Sequence, residues 1–409
     1  MGSRGRASRL VAVIAFAAVC SLALGSPVAG KPRPKHPKKA QPAKRAKLRT
    51  GPAGLAFYEP PRKLPKGHGK VVWFRPAAPR KKIPGVKSTR RLLYTSTSPQ
   101  GKRIAVSGYV SVPKGKPPRN GWPVISWAHG TSGIADVCAP SRHLSEGPPE
   151  PFVRGWVAAG YAVESTDYPG LRTPGIHPYL VGKSEGRGIL DIVRAARHLD
   201  RSIGRRFVVA GTSQGGQAAL FAGSLARGWT PDLRLRGTFA YAPGSHLYEQ
   251  KNLLPALVTP SPLSAVAALI LAGAVTTSND LKPEAILTDP ALALYPEIER
   301  KCLPDLSRED SFGGLAPSTL IRYGADTTRL DAALKAMNPA VKIEGPVVLA
   351  QGSADTTAFP FLTEQLRDEL EAKTTSVEYR LYPGIDHLRI VDAADPDALA
   401  FFKRRMPRR

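Results

Sequence analysis

The chain has few cysteines and no long apolar run after its first 30 residues. Three cysteines occur among 409 residues: Cys20, Cys138 and Cys302. A bilayer-spanning helix takes about 20 consecutive apolar residues, and no stretch beyond residue 30 reaches that length, so we do not expect a membrane-spanning protein. No internal repeat stands out. The length is ample for one large domain or two smaller ones.

The first 30 residues have the features of a secretory signal. Three arginines precede a nearly continuous apolar stretch at residues 10–24, and small residues follow, which is the order expected of such a signal. The apolar stretch is short for a membrane span. Cleavage after Gly25 or Gly30 fits the pattern. We therefore expect residues 1–30 to be removed together with Cys20, and the remaining chain to be exported in soluble form.

Removal of Cys20 leaves an even pair of cysteines. Exported proteins mature in an oxidising compartment, where disulfides form and persist. A single disulfide between Cys138 and Cys302 is therefore the favoured interpretation, and two free buried thiols are the alternative.

The formal charge of +27 is confined to the flanks of the chain. Residues 31–91 carry 20 Lys and Arg against one acidic residue, whereas residues 92–402 carry 31 of each sign. The basic, Pro-rich stretch at 31–54 is typical of a disordered arm. It lacks the interleaved aromatic residues that stack on bases, so no nucleic-acid partner is expected. The arm is either a solvated linker or a segment that loosely contacts anionic cell-envelope or lipid surfaces.

From residue 123 onward, apolar strands alternate with helical stretches, which predicts an α/β fold with a mostly parallel central sheet flanked by helices. Residues 92–97 and 103–112 alternate polar and apolar positions around a turn, which indicates an antiparallel start to the sheet. At the other end, we expect Asp395 and Pro396 to begin the last helix as its N-cap and first residue.

The most informative motif follows a short apolar strand at residues 207–210. The sequence G-T-S-Q-G at 211–215 matches G-x-S-x-G, and an Ala- and Gly-rich helical pattern follows it. In this arrangement the serine occupies a strained strand-to-helix turn that exposes its hydroxyl, and the next backbone N–H points toward a developing oxyanion. A Gly-rich turn with a solvated serine is the alternative. Because of its placement, we assign Ser213 as a nucleophile.

A serine nucleophile needs an imidazole base that is itself held by a carboxylate. In this class of sheet the acid and then the histidine follow the serine in the chain. Asp355 fits the acid because it leaves a buried strand at 347–351. Asp326 stands in a nearly identical sequence but follows a less strand-like segment. His387 is the only histidine after Asp355, and we assign it as the base.

The oxyanion hole needs a second N–H, from the loop after an early strand. Residues 127–133, W-A-H-G-T-S-G, form such a loop, and we assign the backbone N–H groups of Thr131 and Gln214 to the hole. His129 is interpreted as a structural residue of that loop. No pair among the other histidines has the spacing of metal ligands. We expect neither a metal nor an organic cofactor.

Residues 244–345 separate two predicted strands by a length far above that of an ordinary connection. They include an apolar helical run at 262–276, so we expect a helical cap over the strand ends where Ser213 emerges. Its apolar faces form either a wall of an acyl pocket or plain packing against the core. The predicted organisation is a signal peptide at 1–30, a basic arm at 31–54, a core at 55–243, a cap at 244–345 and the rest of the core, with a basic tail, at 346–409.

Several of these stretches together resemble the secretory lipase family, the lipase A-like branch of the α/β-hydrolases. The resemblance rests on residues 127–133, 160–170, 175–179 and 211–216 and extends over residues 55–400. It implies the α/β-hydrolase fold with an inserted cap, a Ser-Asp-His triad, and a disulfide between the loop after the oxyanion strand and the cap. The residues that match the triad and the disulfide are Ser213, Asp355, His387, Cys138 and Cys302.

We therefore predict a secreted serine ester hydrolase, with a triacylglycerol lipase as first choice, that forms an acyl-enzyme on Ser213. A short-chain carboxylesterase and an acyltransferase with an acceptor other than water are alternatives within the same chemistry. A non-catalytic envelope-binding protein on the same scaffold is the alternative from another class. The complete Ser/Asp/His set argues against it, because a scaffold without chemistry needs none of the three.

Overall fold

The computed structural model of the protein describes residues 48–77, 79, 81–373 and 376–407. The predicted signal peptide, most of the predicted basic arm and the last two residues of the basic tail lie outside them. The end of the predicted arm is attached to the sheet, because the N–H of Phe74 donates to Arg49 and its carbonyl accepts from Gly51. Residues 49–51 therefore pair with the sheet, although they lie before the predicted boundary at 55.

Nine strands of the described residues form one sheet in the order β1-β2-β3-β5-β4-β6-β7-β8-β9. The pairs β1/β2, β2/β3 and β3/β5 are antiparallel, and all pairs from β5 to β9 are parallel. The predicted mostly parallel sheet with an antiparallel start is confirmed. The strands are β1 (Val71–Ala77), β2 (Val86–Thr97), β3 (Arg103–Pro113), β4 (Trp122–Ala128), β5 (Ala162–Thr166), β6 (Ile203–Thr212), β7 (Arg234–Tyr241), β8 (Val347–Gly352) and β9 (Val377–Tyr382).

Helices cover both faces of this sheet. No helix in the described residues is long and apolar enough to cross a bilayer. Short 3-10 turns occur at Gly54–Tyr58, Asp136–Cys138, Pro140–Arg142, Leu254–Ala256, Tyr295–Glu299, Phe312–Gly314 and Pro317–Thr319. The α-helices are α1 (Pro151–Ala158), α2 (Gly182–Leu199), α3 (Gln214–Trp229), α4 (Leu247–Leu253), α5 (Leu263–Val275), α6 (Pro283–Ile286), α7 (Asp289–Leu294), α8 (Leu303–Leu306), α9 (Thr328–Ala336), α10 (Pro360–Glu371) and α11 (Ile390–Arg405).

The two faces of the sheet have separate cores, and β6 contributes to both. Successive side chains of a strand point to opposite faces. Phe207 and Val209 therefore pack with α2 and α3 on one face, whereas Val208 and Ala210 pack with α1 and α11 on the other. Since both faces are covered, a continuous apolar run replaces the polar/apolar alternation of a half-exposed strand.

The chain between β7 and β8 is helical, as predicted. We call residues 244–345 the cap segment; it contains α4 to α9. Its core surrounds α5 and includes Tyr179 and Leu180 from the loop before α2. At Gly273 of α5, an added Cβ would overlap the carbonyl of Tyr179. The helix therefore packs on the backbone of that loop, at a distance that only glycine allows.

The predicted disulfide is present. Cys138 and Cys302 are joined across 164 residues, with their Cα atoms 5.6 Å apart. The bond links the loop after β4 to the cap segment. Next to it, the N–H of Leu303 donates to the carbonyl of Ser132 at 2.9 Å. The loop that was expected to supply an oxyanion donor is thus fastened to the cap segment by one covalent and one hydrogen bond.

The predicted start of the last helix at Asp395 and Pro396 is wrong. α11 begins at Ile390, and Pro396 lies inside it. The carboxylate of Asp386 accepts the N–H groups of the second and third residues after it, at 3.1 and 3.0 Å, and so turns the chain into the helix. Asp395 instead accepts a hydrogen bond from the indole N–H of Trp156 at 2.6 Å. Its carboxylate ties α11 to α1 rather than capping a helix.

Candidate active site

Ser213 occupies the turn between β6 and α3, with backbone angles φ 55° and ψ −116°. A non-glycine residue rarely adopts a positive φ, and such strain persists only where the surroundings enforce it. Here the N–H of Ser213 donates to Tyr241 at 2.9 Å, and its carbonyl accepts from Gly244 at 3.1 Å. Both contacts come from the end of the neighbouring strand β7 and the residues after it, and they hold the turn.

Close backbone packing explains the small residues of the motif. A Cβ added to Gly215 would overlap the carbonyl oxygen of Ala128 at the end of β4, and one added to Gly211 would overlap the carbonyl of Gly215. At Gly216 the added Cβ would lie 2.9 Å from the Cα of Pro243. The turn after β6 is therefore wedged between the ends of β4 and β7.

The structure brings the predicted serine, histidine and aspartate together. The Nε2 atom of His387 lies 2.9 Å from the Oγ of Ser213, and its Nδ1 lies 2.7 Å from Oδ2 of Asp355. A carboxylate only accepts hydrogen bonds, so Nδ1 carries the proton and Nε2 is left to accept one from the hydroxyl. This is the order of contacts that lets an imidazole take the proton of a serine.

Three donors orient the carboxylate of Asp355. Its Oδ1 accepts the N–H groups of Thr357 and Ala358 at 2.8 Å each, and its Oδ2 accepts the side-chain amide of Gln351 at 3.2 Å. The Gln351 amide is itself held, because its Oε1 accepts the hydroxyl of Thr363 at 2.8 Å. Gln351 was not singled out in the sequence, where it is simply the polar end of a buried strand.

Asp326 has no part in this arrangement. It is exposed in the cap segment, and its Oδ1 accepts the N–H of Thr328 at 2.9 Å at the start of α9. The hydrogen bonds from Thr328 lower the pKa of this carboxyl. The two similar Asp-Thr-Thr sequences thus lie in different surroundings, because only that of Asp355 follows a strand of the sheet.

The loop after β4 lies beside the nucleophile turn. A Cβ added to Gly130 would lie 3.1 Å from the side chain of Thr212, and the hydroxyl of Thr131 is hydrogen-bonded to that of Tyr179 at 2.6 Å. In α3, the N–H of Gln217 donates to Ser213, so the N–H of Gln214 precedes the hydrogen-bonded part of the helix. The assignment of Thr131 and Gln214 to an oxyanion hole stays a prediction, and the position of both loops favours it.

A buried polar network lies under Gln214. Its side-chain amide donates to Glu185 at 2.7 Å and lies 3.0 Å from Nε2 of His177. Burial raises the pKa of Glu185 to about 8 and lowers that of His177 to about 3. At neutral pH the network is therefore mostly uncharged. Sequence reasoning missed it, since Glu185 and His177 lie 29 and 37 residues from Gln214.

His129 stabilises its own loop. Its Nδ1 lies 2.7 Å from the carbonyl of Gly130, and its carbonyl accepts the hydroxyl of Tyr168 at 2.8 Å. Burial lowers the pKa of His129 to about 4, so the ring is neutral. In the described parts of the chain, no group of three or more His, Cys, Asp or Glu side chains is arranged to hold a metal ion.

The mostly parallel sheet, the strained strand-to-helix turn and the helices on both faces define an α/β-hydrolase. Residues 150–407, more than half of the chain, match the family model of the secretory lipases. The chain belongs to this family. No curated protein sequence matches it at a significant level.

Solved structures share this fold. Candida antarctica lipase A in its closed state is 20% identical, over 87% of this chain and 84% of that chain, with a TM-score of 0.69. The rice cell wall degrading esterase LipA of Xanthomonas oryzae is 17% identical, over 83% of this chain and 98% of that chain, with a TM-score of 0.68. Together with the family match, these similarities identify a carboxylic ester hydrolase of the lipase/esterase class, which acts on ester or lipid substrates.

A substitution at Gly215 tests the close packing between the turn after β6 and the end of β4. We expect Gly215→Ala to lower the free energy of unfolding by about 1–3 kcal/mol, as overpacking does. It should also lower the rate of ester hydrolysis at least about a hundredfold, because displacing reacting groups by about 1 Å has that effect. The control is Gly228→Ala in the same helix, where an added Cβ meets nothing within 4 Å. It should raise stability by about 0.5–1 kcal/mol and leave activity unchanged. Thermal unfolding and p-nitrophenyl ester hydrolysis measure both; equal behaviour of the two variants would contradict the packing argument.

Proposed function

We propose that the protein is a secreted lipase that cleaves carboxylic esters through an acyl-enzyme on Ser213. The observation that carries the proposal is the unbroken series of hydrogen bonds from Asp355 through His387 to Ser213, at 2.7 and 2.9 Å. The strained turn that presents the hydroxyl supports the same assignment, because strain of this kind concentrates at functional sites.

In the proposed reaction, Nε2 of His387 takes the hydroxyl proton while Oγ of Ser213 attacks the ester carbonyl. Asp355 stabilises the resulting imidazolium across the bond to Nδ1. The negative oxygen of the tetrahedral intermediate lies against the N–H groups of Thr131 and Gln214. His387 then gives its proton to the leaving alcohol as the C–O bond breaks. A water molecule repeats the sequence on the acyl-enzyme and releases the acid.

An apolar cavity in the cap segment favours a long acyl chain over a short one. Its wall includes Leu, Ile, Val and Ala side chains of α4, α5 and α9, together with Thr357 and Phe359. The N–H of Thr357 also holds Asp355 at 2.8 Å, so one side of the cavity adjoins the proposed triad. On the α5 side, the wall includes Ala267 and Leu271.

Secretion is supported by the signal-like features of residues 1–30 and by the family, which is named for secretory lipases. We further propose that the basic arm at 31–54 makes loose contact with anionic cell-envelope or lipid surfaces. Its excess of Lys and Arg attracts negative charge over about one Debye length. No substrate role is assigned to it.

The nucleophile is tested with a fluorophosphonate probe, which labels activated serines. We expect the wild-type chain to be labelled at Ser213, and Ser213→Ala to lose labelling and about six orders of magnitude in kcat, the loss seen when the serine of a triad is removed. Ser224→Ala, in the same helix α3, is the control and should label and hydrolyse normally. Labelling that persists in Ser213→Ala, or failure of the wild type to label, would overturn the assignment and favour a binding role.

The acid is tested by comparing two aspartates in nearly identical sequences. We expect Asp355→Asn to lower kcat for p-nitrophenyl esters by roughly 10³–10⁴, because an amide no longer fixes the histidine tautomer. Asp326→Asn, exposed in the cap segment, should stay within about twofold of wild type, as surface substitutions usually do. If the exposed residue proved the more sensitive of the two, the assignment of the acid would be wrong.

Chain-length preference is tested by filling the cavity. Ala267 is half-buried in α5 and lines the cavity. Ala267→Trp should therefore lower the rate on laurate and palmitate esters at least about tenfold, and the rate on butyrate esters less than about threefold. This is the scale on which pocket size discriminates between substrates. The control, Ala332→Trp, adds the same side chain to an exposed position of α9 and should change neither. Thermal unfolding shows whether the larger side chain is accommodated. An equal loss on all esters in a stable variant would favour a short-chain esterase, with the cavity as packing space.

A further inference from the structure

The edge of the sheet opposite Ser213 carries a dense group of exposed cations, which we call the basic edge. All but one of its members are arginines. None belongs to the predicted arm, so the basic edge is a feature of the folded body, although residues 92–402 as a whole balance in charge. Its members are Arg119, Arg201, Arg205, Arg234, Arg236, Lys403, Arg404 and Arg405.

Sheet topology gathers these residues from distant parts of the sequence. β4, β6 and β7 are parallel neighbours, so their first residues lie at one edge. The N–H of Trp122 donates to Ser202 at 2.7 Å, which brings the turn of Arg119 beside the start of β6. Arg206 is paired with Arg234 across β6 and β7.

The last turn of α11 completes the group. The guanidinium of Arg405 donates to the carbonyl of Arg236 at 2.8 Å, and that of Arg206 donates to the carbonyl of Pro407 at 3.2 Å. Basic residues at a helix C-terminus commonly balance its dipole, and this accounts for the residues at 403–405. Arg201 follows the C-terminus of α2 and is explained in the same way. The balance of a helix dipole does not account for Arg119, Arg205, Arg234 and Arg236, which precede or begin strands.

Few carboxylates neutralise the basic edge. Asp200 is bound by Arg90 and Ser202, and Asp232 by Arg194, all outside the group. Of the basic-edge cations, Arg404 alone has a carboxylate within 4.0 Å among the residues described, that of Glu378. Behind them, burial and the nearby charges of Arg205 and Arg201 lower the pKa of Arg197. The edge therefore keeps an uncompensated positive field.

The chemistry of the edge favours a phosphate polymer over other anionic partners. Guanidinium groups bind phosphate oxygens in pairs, and the neighbouring strands β6 and β7, whose backbones lie about 4.8 Å apart, both carry arginines among their first residues. The large exposed apolar side chains of the described residues lie elsewhere, for example at Ile176, Phe361 and Leu388, so the edge offers nothing to insert into a bilayer. Within the described ranges it also offers no exposed aromatic ring on which a base would stack.

We propose that the basic edge binds a linear polymer of phosphate groups, independently of the predicted arm. β6 runs from this edge to the turn of Ser213, and its length, at about 3.3 Å for each residue, separates the two by roughly 30 Å. A bound polymer would therefore hold the enzyme with its active site turned away and open to substrate. The basic edge is a second site, separate from the one proposed for hydrolysis, and its binding does not depend on hydrolysis.

The test uses the chain from residue 31 onward, with the arm retained, and fluorescein-labelled long-chain inorganic polyphosphate. Fluorescence anisotropy gives Kd at several salt concentrations. The edge variant carries Arg205→Gln, Arg234→Gln, Arg236→Gln and Arg404→Gln. The matched control removes the same charge from the cap segment, at positions outside the basic edge, with Arg300→Gln, Arg308→Gln, Arg322→Gln and Arg329→Gln. Thermal unfolding checks that both remain folded.

We expect the edge variant to bind at least about tenfold more weakly and its salt dependence to flatten, since the slope of log K against log salt falls by about 0.7 for each phosphate group that is no longer neutralised. The control should stay within about threefold of wild type, because its arginines lie away from the polymer. Equal weakening in both variants would mean that net charge or the arm alone binds, and would overturn the proposal. So would preferential binding, at equal phosphate concentration, to phosphatidylglycerol vesicles, with the edge variant impaired on vesicles only. Neither result bears on ester hydrolysis, because the readout is binding.

Discussion

The structure depends on one close approach, between the turn after β6 and the end of β4. At Gly215 there is no room for a side chain against the carbonyl of Ala128, and this contact sets where α3 begins. Because the chain has to turn at this contact, β6 ends there and Ser213 adopts a positive φ. The same contact brings the loop after β4 beside the serine, so the strain that exposes the hydroxyl also assembles the surroundings in which an oxyanion would be stabilised.

Two buried acidic side chains, Asp355 and Glu185, lie near this turn in different surroundings. Asp355 is buried, and backbone N–H groups at 2.8 Å hold one oxygen while the other faces His387. Under Gln214, in contrast, burial disfavours charge: it raises the pKa of Glu185, which is mostly protonated, and lowers that of His177, which is neutral. An ionised carboxylate there would compete for the proton of an imidazolium. The two acids near the serine thus have different environments: hydrogen-bond donors surround Asp355, whereas burial disfavours the charged form of Glu185.

Local patterns were sufficient to predict the sheet, the turn and the position of Asp355, rather than Asp326, at the end of a strand, because a buried strand in front of a loop is visible in the sequence. Patterns failed where tertiary contacts decide. β2 begins at Val86, ahead of the predicted position 92, since Arg90 and Arg91 break the apolar alternation and yet pair along β3. The network of Glu185 and its partners spans three separate segments, and no spacing in one sequence reveals which side chains a fold will bury together.

In a parallel sheet, the edge where the strands end differs chemically from the edge where they begin. The charged residues of this chain increase that difference. Strands end, and helices begin, at the edge of Ser213, so N–H groups and positive helix ends face a developing anion. At the other edge helices end, carbonyls face outward, and cations such as Arg236 and Arg405 are favoured next to them. If the cations only balanced those carbonyls, a few would be enough, and each would be bound to a carbonyl. At the basic edge, among the residues described, only Arg404 has a carboxylate within 4.0 Å. The excess positive charge is therefore available to an external anion, at the edge of the sheet where binding does not compete with catalysis.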